Sequence, residues 1–112
     1  MSEELMRPED RIYVEMRSYI SQLIDGLNDI LDKYKDLLTS KNAYIQTSYV
    51  VGILQTFRYT PSEIVKYYWN NLASLIETLK GIDGLKDKLE DEILPAYDKL
   101  QELKSELDVS RK

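Results

Sequence analysis

The chain has 112 residues, enough for one domain with a single core, and 43% of them are hydrophobic and 31% charged. Histidine and cysteine are both absent, which excludes imidazole general bases, thiolate nucleophiles and zinc sites built from these residues. A formal net charge of −5 disfavours broad binding to a phosphate backbone.

The first predicted helix covers residues 8–38 and carries the strongest periodic signal in the sequence. Its hydrophobic residues recur at alternating spacings of four and three, a pattern typical of a helix that packs against other helices. This seam consists of Met16, Ile20, Leu23, Leu27, Ile30, Tyr34 and Leu37. Because the seam is long and heptad-like, we predict that it pairs two copies of the chain, unless the last helix of the same chain covers it.

The second segment, residues 40–57, has features of both a strand and a helix. Several of its residues favour strands, yet a helical face also runs along it. A lone strand would find no partner elsewhere in this chain, so we predict a helix here. Gly52 then marks a close helix crossing or a weak point.

The third helix is predicted to begin with a capping box. The pattern of a capping box is matched by Thr60, Pro61 and Glu63: the threonine caps the first turn, the proline follows, and the glutamate side chain accepts a hydrogen bond from the backbone N–H of the threonine. Hydrophobic repeats continue to position 79. Gly81 is then predicted to end the helix in a left-handed conformation.

The last segment, residues 85–109, is predicted to be an amphipathic helix surrounded by charges of both signs. Pro95 cannot donate the hydrogen bond that would reach the carbonyl of Asp91, so we expect a kink or break at residues 91–94. The sequence therefore predicts an all-α fold, a four-segment helical bundle in a single domain over residues 1–112. Its first and last helices are long and amphipathic, the last is kinked near Pro95, and residues 1–7 and 110–112 are frayed.

Charged residues are distributed unevenly along the chain. Residues 1–39 contain 14 of them and residues 80–112 contain 16, whereas residues 40–79, here called the midsection, contain five. Seven of the eleven aromatic residues also lie in the midsection. A small bundle cannot bury seven rings, and tyrosine and tryptophan suit a surface that is wet in the free protein and covered in a complex. The alternative is an ordinary core whose tyrosine hydroxyls reach solvent.

Three consecutive aromatic residues at 67–69 point about 100° apart on a helix, so at least one of them should lie outside the core. We expect this residue to be Tyr67. The predicted partner-binding residues are Arg58, Tyr59, Lys66, Tyr67, Tyr68 and Trp69.

The sequence is also compatible with two other functions. The same six residues could form a stacking patch for single-stranded nucleic acid in a nucleic-acid-handling complex, although two cations beside acidic flanks are a weak signal. A row of aspartates on the first helix could instead mimic phosphate in an acidic inhibitor. The row consists of Asp25, Asp29, Asp32 and Asp36. We expect it to face water without a metal ion, because carboxylates one turn apart on a straight helix diverge.

The sequence shows no pattern of an enzyme or of a cofactor site. A Gly-rich phosphate loop, an EF-hand and a Glu-x-x-His pair are all absent. The isolated carboxylates Glu63 and Glu77 are explained by capping and by an ion pair with Lys80. We therefore predict a non-catalytic adaptor or subunit without cofactor or metal that binds a protein partner, itself or both, with nucleic acid reached only through a partner.

The segment 1–11 is charged from its third residue and does not resemble a secretory signal peptide. The longest run without charge, residues 42–57, contains 16 residues, several of them polar, and is too short to span a bilayer. We therefore expect a cytoplasmic protein that does not bind membranes. The composition is also compatible with a thermophilic source.

Overall fold

A computed structural model of the chain describes residues 8–110, and helices form nearly all of this part. The α-helices are α1 (Pro8–Lys33), α2 (Lys35–Ser40), α3 (Tyr44–Thr56), α4 (Pro61–Glu63), α5 (Trp69–Lys80), α6 (Lys86–Lys88) and α7 (Leu94–Ser110). The first π segment (Ile64–Tyr68) joins α4 to α5, the second π segment (Leu89–Ile93) joins α6 to α7, and a short 3-10 turn (Asp83–Leu85) precedes α6. No strand occurs within residues 8–110, which confirms the predicted all-α fold. The ends predicted to fray lie outside the described residues, except for Ser110.

The bundle is formed mainly by α1, α3, α5 and α7. Helix α1 packs against α7 and the second π segment and also against α3, which in turn packs against α5. The seam of α1 supplies much of the core: Met16, Leu23, Leu27 and Ile30 are completely buried. Burying such side chains removes their apolar surface from water, which is the main favourable contribution to folding.

The seam that the sequence predicted for a dimer lies mainly on α1, with Tyr34 between α1 and α2 and Leu37 on α2, and is covered within the chain. Its first five residues are buried in the core and its last two are partly buried against it, in the order Met16, Ile20, Leu23, Leu27, Ile30, Tyr34 and Leu37. The packing of α7 and the second π segment on α1 accounts for this burial. The predicted oligomer seam is thus corrected to an intramolecular one. Two segments of one chain meet without the entropy loss of bringing two molecules together.

Residues 44–56 form a helix, as predicted, but Gly52 does not lie at a helix crossing. A Cβ atom placed on Gly52 would have no neighbour within 4 Å. The close approach occurs instead at Gly26, where such an atom would lie 2.5 Å from Cδ1 of Ile93 in the second π segment. A side chain at position 26 would force the end of the Ile93 side chain to shift.

The third helix begins at Pro61, as predicted, without the capping box. The side chain of Thr60 makes no capping hydrogen bond, and its backbone carbonyl accepts from the N–H of Glu63 at 3.0 Å instead. The helix ends at Lys80, and the C-cap residue Gly81 has φ −78°, so the predicted left-handed cap is wrong. Among the non-glycine residues of the described chain, a positive φ occurs at Asn42, with φ 58°, between α2 and α3.

The disturbance predicted at Pro95 is present as a π-helical segment rather than a break in the helix. The helical run continues from Lys86 to Ser110 and widens to the π form at Leu89–Ile93, directly before α7. Pro95 has no N–H for the carbonyl of Asp91 and its ring crowds the preceding turn. A wider turn relieves both problems while the chain remains helical.

Candidate partner-binding surface

Exposed large hydrophobic side chains concentrate in the midsection. Four of the six in the described part of the chain lie there: Ile45 (82% exposed), Tyr49 (57%), Tyr59 (68%) and Tyr67 (68%). The other two are Val14 on α1 and Val109 on α7. The exposure of Tyr67 confirms the prediction that one of the three consecutive aromatic residues lies outside the core.

One side of α3 forms an uncharged surface, here called the α3 face. Ile45, Tyr49, Gly52 and Thr56 are all exposed, and their spacings of four, three and four residues place them on one side of the helix. The opposite side of α3 is buried in the core through residues such as Val50 and Leu54. Within residues 8–110, α3 is the only α-helix that carries no charged side chain. The α3 face therefore presents apolar and neutral polar groups to solvent without an ion among them.

Two of the predicted partner-binding residues are engaged inside the chain. The ring of Tyr68 stacks on Phe57 with the centroids 5.1 Å apart. The ring of Trp69 stacks on Tyr97 of α7 at 5.9 Å, and the ammonium of Lys104 lies 5.6 Å from the Trp69 centroid. Trp69 is partly buried against the core. Tyr68 and Trp69 thus link elements of the bundle while each stays partly exposed, and their assignment to a partner-binding surface stays a prediction.

Arg58 anchors the connection between α3 and α4 to α1. Its Nη2 donates to Oγ of Ser21 at 2.9 Å, and its guanidinium lies 5.3 Å from the ring centroid of Tyr59. Its Nε is buried without a hydrogen-bond partner. The six predicted residues are thus divided between contacts inside the bundle and exposed positions such as Tyr59 and Tyr67. The stacking patch for single-stranded nucleic acid stays a prediction.

The aspartate row, which lies on α1 and, at Asp36, on α2, faces water at three of its four positions. Asp25, Asp32 and Asp36 are exposed, whereas Asp29 is partly buried. Asp29 accepts a hydrogen bond from the ammonium of Lys88 and forms an ion pair with Lys33 at 3.1 Å. Asp29 is thus the member of the row that has a structural role.

Lys88 is the centre of this ionic cluster, because it also pairs with Glu92. The hydrogen bonds from Lys88 and then Lys33 lower the pKa of Asp29, and those to Asp29 and then Glu92 raise the pKa of Lys88 to about 12. The cluster lines a groove of about 590 Å³ between α1 and the second π segment. Among the described residues no group of three or more acidic side chains is arranged to hold a metal ion.

Sequence reasoning missed the α3 face. Ile45 was not among the predicted partner-binding residues, although it is the most exposed of the large hydrophobic side chains in the described chain. The available signal was the helical spacing of Ile45, Tyr49, Gly52 and Thr56 within the longest uncharged run of the sequence. This spacing is hard to recognise in the sequence, because hydrophobic residues of the buried side of α3 lie between the exposed ones.

No protein-family model, curated protein or solved structure matches the chain. Helices long and apolar enough to cross a membrane are absent from the described part. The fold places the protein in the structural class of all-α helical bundles.

Proposed function

We propose that the protein is a non-catalytic interaction module, a small helical subunit or adaptor that binds another protein chain through the exposed surface of the midsection. The observation that carries this proposal is the exposure of Ile45, Tyr49, Tyr59 and Tyr67 in the part of the chain with the fewest charges. Exposed aromatic and aliphatic side chains provide the anchors of protein interfaces. Their hydration is unfavourable in the free protein, and a partner that covers them removes this cost.

The described titratable groups with shifted pKa values support a non-catalytic role. A general base or acid acts best when its pKa lies near the working pH. The pKa of Asp29 is lowered by its lysine partners, the pKa of Lys88 is raised to about 12, and burial raises the pKa of Tyr97. All three shifts move the groups away from neutrality, as expected for structural ion pairs and a buried phenol. We also propose a cytoplasmic location, which the absence of cysteine supports.

Site-specific photo-crosslinking in the native host tests the proposal. A photoreactive phenylalanine analogue is placed at Tyr49, Tyr59 or Tyr67, and at Glu102 as a control, because Glu102 is an exposed charged residue of α7 outside residues 40–79. We expect the three midsection positions to give protein adducts that the control position does not give. Adducts in equal yield at all four positions, or adducts to nucleic acid alone, would contradict the proposal.

A further inference from the structure

We infer that Arg58 recognises a carboxylate of the partner protein, so that an aspartate or glutamate side chain of the partner pairs with the guanidinium beside Tyr59. This inference rests on the proposed function, because it names the chemistry of the partner at one place on the exposed surface of the midsection. It follows from what Arg58 lacks within the described chain and from how its side chain is held.

Arg58 is a partly buried cation without a counter-ion in the described chain. The sequence contains 20 acidic residues, yet none of those within residues 8–110 forms an ion pair with Arg58. Removing a charge from water is unfavourable unless an opposite charge or hydrogen bonds compensate for it. An anion from outside this part of the chain would supply the missing opposite charge.

The hydrogen bonds of Arg58 within residues 8–110 are incomplete as well. Its Nη2 donates to Oγ of Ser21 at 2.9 Å, whereas its Nε is buried without an acceptor. A buried N–H group without an acceptor has lost the hydrogen bond that it would make with water. The fold therefore holds this side chain in place at some loss of stability, and an anion that pairs with the guanidinium would offset the loss.

Tyr59 and Ser21 restrain the guanidinium and leave it able to bind. The ring centroid of Tyr59 lies 5.3 Å from Cζ of Arg58, and Tyr59 itself is 68% exposed. The attraction between a guanidinium and an aromatic ring does not use a hydrogen-bond donor, so further N–H groups of Arg58 remain for the two oxygens of a carboxylate. Because the side chain is already restrained, less conformational entropy is lost when the carboxylate binds.

A carboxylate of a protein fits this position better than the phosphate backbone of a nucleic acid. Binding to a phosphate backbone depends on several cations acting together, and this chain has a net charge of −5. Arginine and tyrosine are the residues that most often anchor protein interfaces. One acidic side chain, surrounded by apolar groups of the partner, would pair with Arg58 while those groups cover Tyr59.

Carbodiimide coupling of the full-length chain in an extract of the native host tests the inference. Arg58→Lys keeps the positive charge and supplies an amine, which a carbodiimide joins directly to an adjacent carboxylate. We expect peptide mapping to show an isopeptide bond between position 58 and an aspartate or glutamate of another protein. Arg17→Lys changes an exposed arginine of α1 outside the midsection, and position 17 should give no bond to that acidic residue.

The yield of photo-crosslinking at Tyr67 measures how much the pair contributes to binding. Arg58→Gln should lower the yield about tenfold or more, and Arg58→Lys should lower it less, because the charge is retained. Ser21→Ala removes the hydrogen bond that anchors Arg58 and keeps the guanidinium, so it should lower the yield less than Arg58→Gln does. Circular dichroism should show that these variants are folded, and the coupling through Arg58→Lys does not depend on the folding of Arg58→Gln.

The two proposals fail separately. If the wild-type chain gives protein adducts, an unchanged yield in Arg58→Gln would overturn the inference and leave the interaction module standing. Equal losses in Arg58→Gln and Ser21→Ala would do the same, because Arg58 would then act as an anchor of the fold alone. So would a position 58 that couples to nothing, or only to carboxylates of this chain's own sequence. A wild-type chain that gives no protein adducts, or adducts to nucleic acid alone, would overturn both proposals.

Discussion

The ammonium of Lys88 donates a hydrogen bond to the carboxylate of Asp29 and so connects the segment before α7 to the C-terminal end of α1. Lys33 pairs with the same carboxylate, and Glu92 pairs with the same ammonium. The cluster lies beside the contact between Gly26 and Ile93, so a polar and an apolar interaction hold the same two segments together. The paired charges compensate one another, which stabilises their ionised forms.

Asp29→Asn should lower the melting temperature near neutral pH and have no effect in strong acid. The pKa of Asp29 is lowered in the folded chain, so its stabilising contribution is present above the ordinary value of 3.8 and is lost as the pH falls through the folded-state pKa. We expect a decrease of about 4 °C or less at neutral pH, because solvent partly screens the pair. Thermal melts followed by circular dichroism at neutral pH and in strong acid measure the difference. Asp32→Asn, on an exposed residue of the same row, serves as the control and should change little at either pH.

Tyr97→Phe should reduce the loss of stability at alkaline pH. Burial, followed by the charges of Glu77 and Asp98, raises the pKa of Tyr97. The neutral phenol therefore contributes stability below the ordinary pKa of 10.0, and this contribution is lost as the pH rises through the folded-state pKa. The stabilising contribution of Lys88, whose pKa is raised to about 12, is also lost at alkaline pH, but this loss is the same in the wild type and in Tyr97→Phe. Melting temperatures should thus diverge above about pH 10, and parallel curves would contradict the prediction.

Gly26→Ala should destabilise the fold, although alanine normally stabilises a helix relative to glycine. The added Cβ atom would lie 2.5 Å from Cδ1 of Ile93, whose side chain is completely buried, so the Ile93 side chain would have to shift within the core. We expect a loss of about 1–3 kcal/mol in the free energy of unfolding measured with urea.

The double variant Gly26→Ala with Ile93→Val identifies the cause of this loss. Ile93→Val removes the Cδ1 atom that the new methyl group would meet, and costs about 0.5–1.5 kcal/mol by itself. The double variant should be more stable than the sum of the two single effects predicts, since the residues are in contact. Strictly additive effects would show that the strain arises elsewhere.

Thr60→Ala should change the free energy of unfolding by less than about 0.5 kcal/mol, whereas loss of a capping threonine typically costs about 1 kcal/mol. The reason is that the Thr60 side chain makes no capping hydrogen bond. Urea denaturation of the variant and the wild type measures the difference. Ser62→Ala, two residues further on, is a suitable control for the helix propensity of alanine. A loss near 1 kcal/mol or more for Thr60→Ala alone would indicate that the capping box forms in solution.

The buried side of each long helix was predictable, because it depends on spacing within one segment. The repeat from Met16 to Ile30 predicts a buried face, and the core contains it. Pro61 marks a helix start for a similarly local reason: its fixed φ and missing N–H suit the first turn. The disturbance of the helix before Pro95 was also predictable, because it depends on the proline itself and the turn before it.

The identity of each neighbour depended on the tertiary structure. A periodic pattern shows that a face is buried without showing what covers it, so the seam of α1 was assigned to a second copy although α7 covers it. The sequence identified Tyr67 as the exposed ring but did not show which residues would stack on Tyr68 and Trp69. Their stacking partners, Phe57 and Tyr97, come into contact with them only in the folded bundle. Local propensities act within a few residues along the helix, whereas these contacts join residues that are distant along the chain and meet only once the bundle has formed.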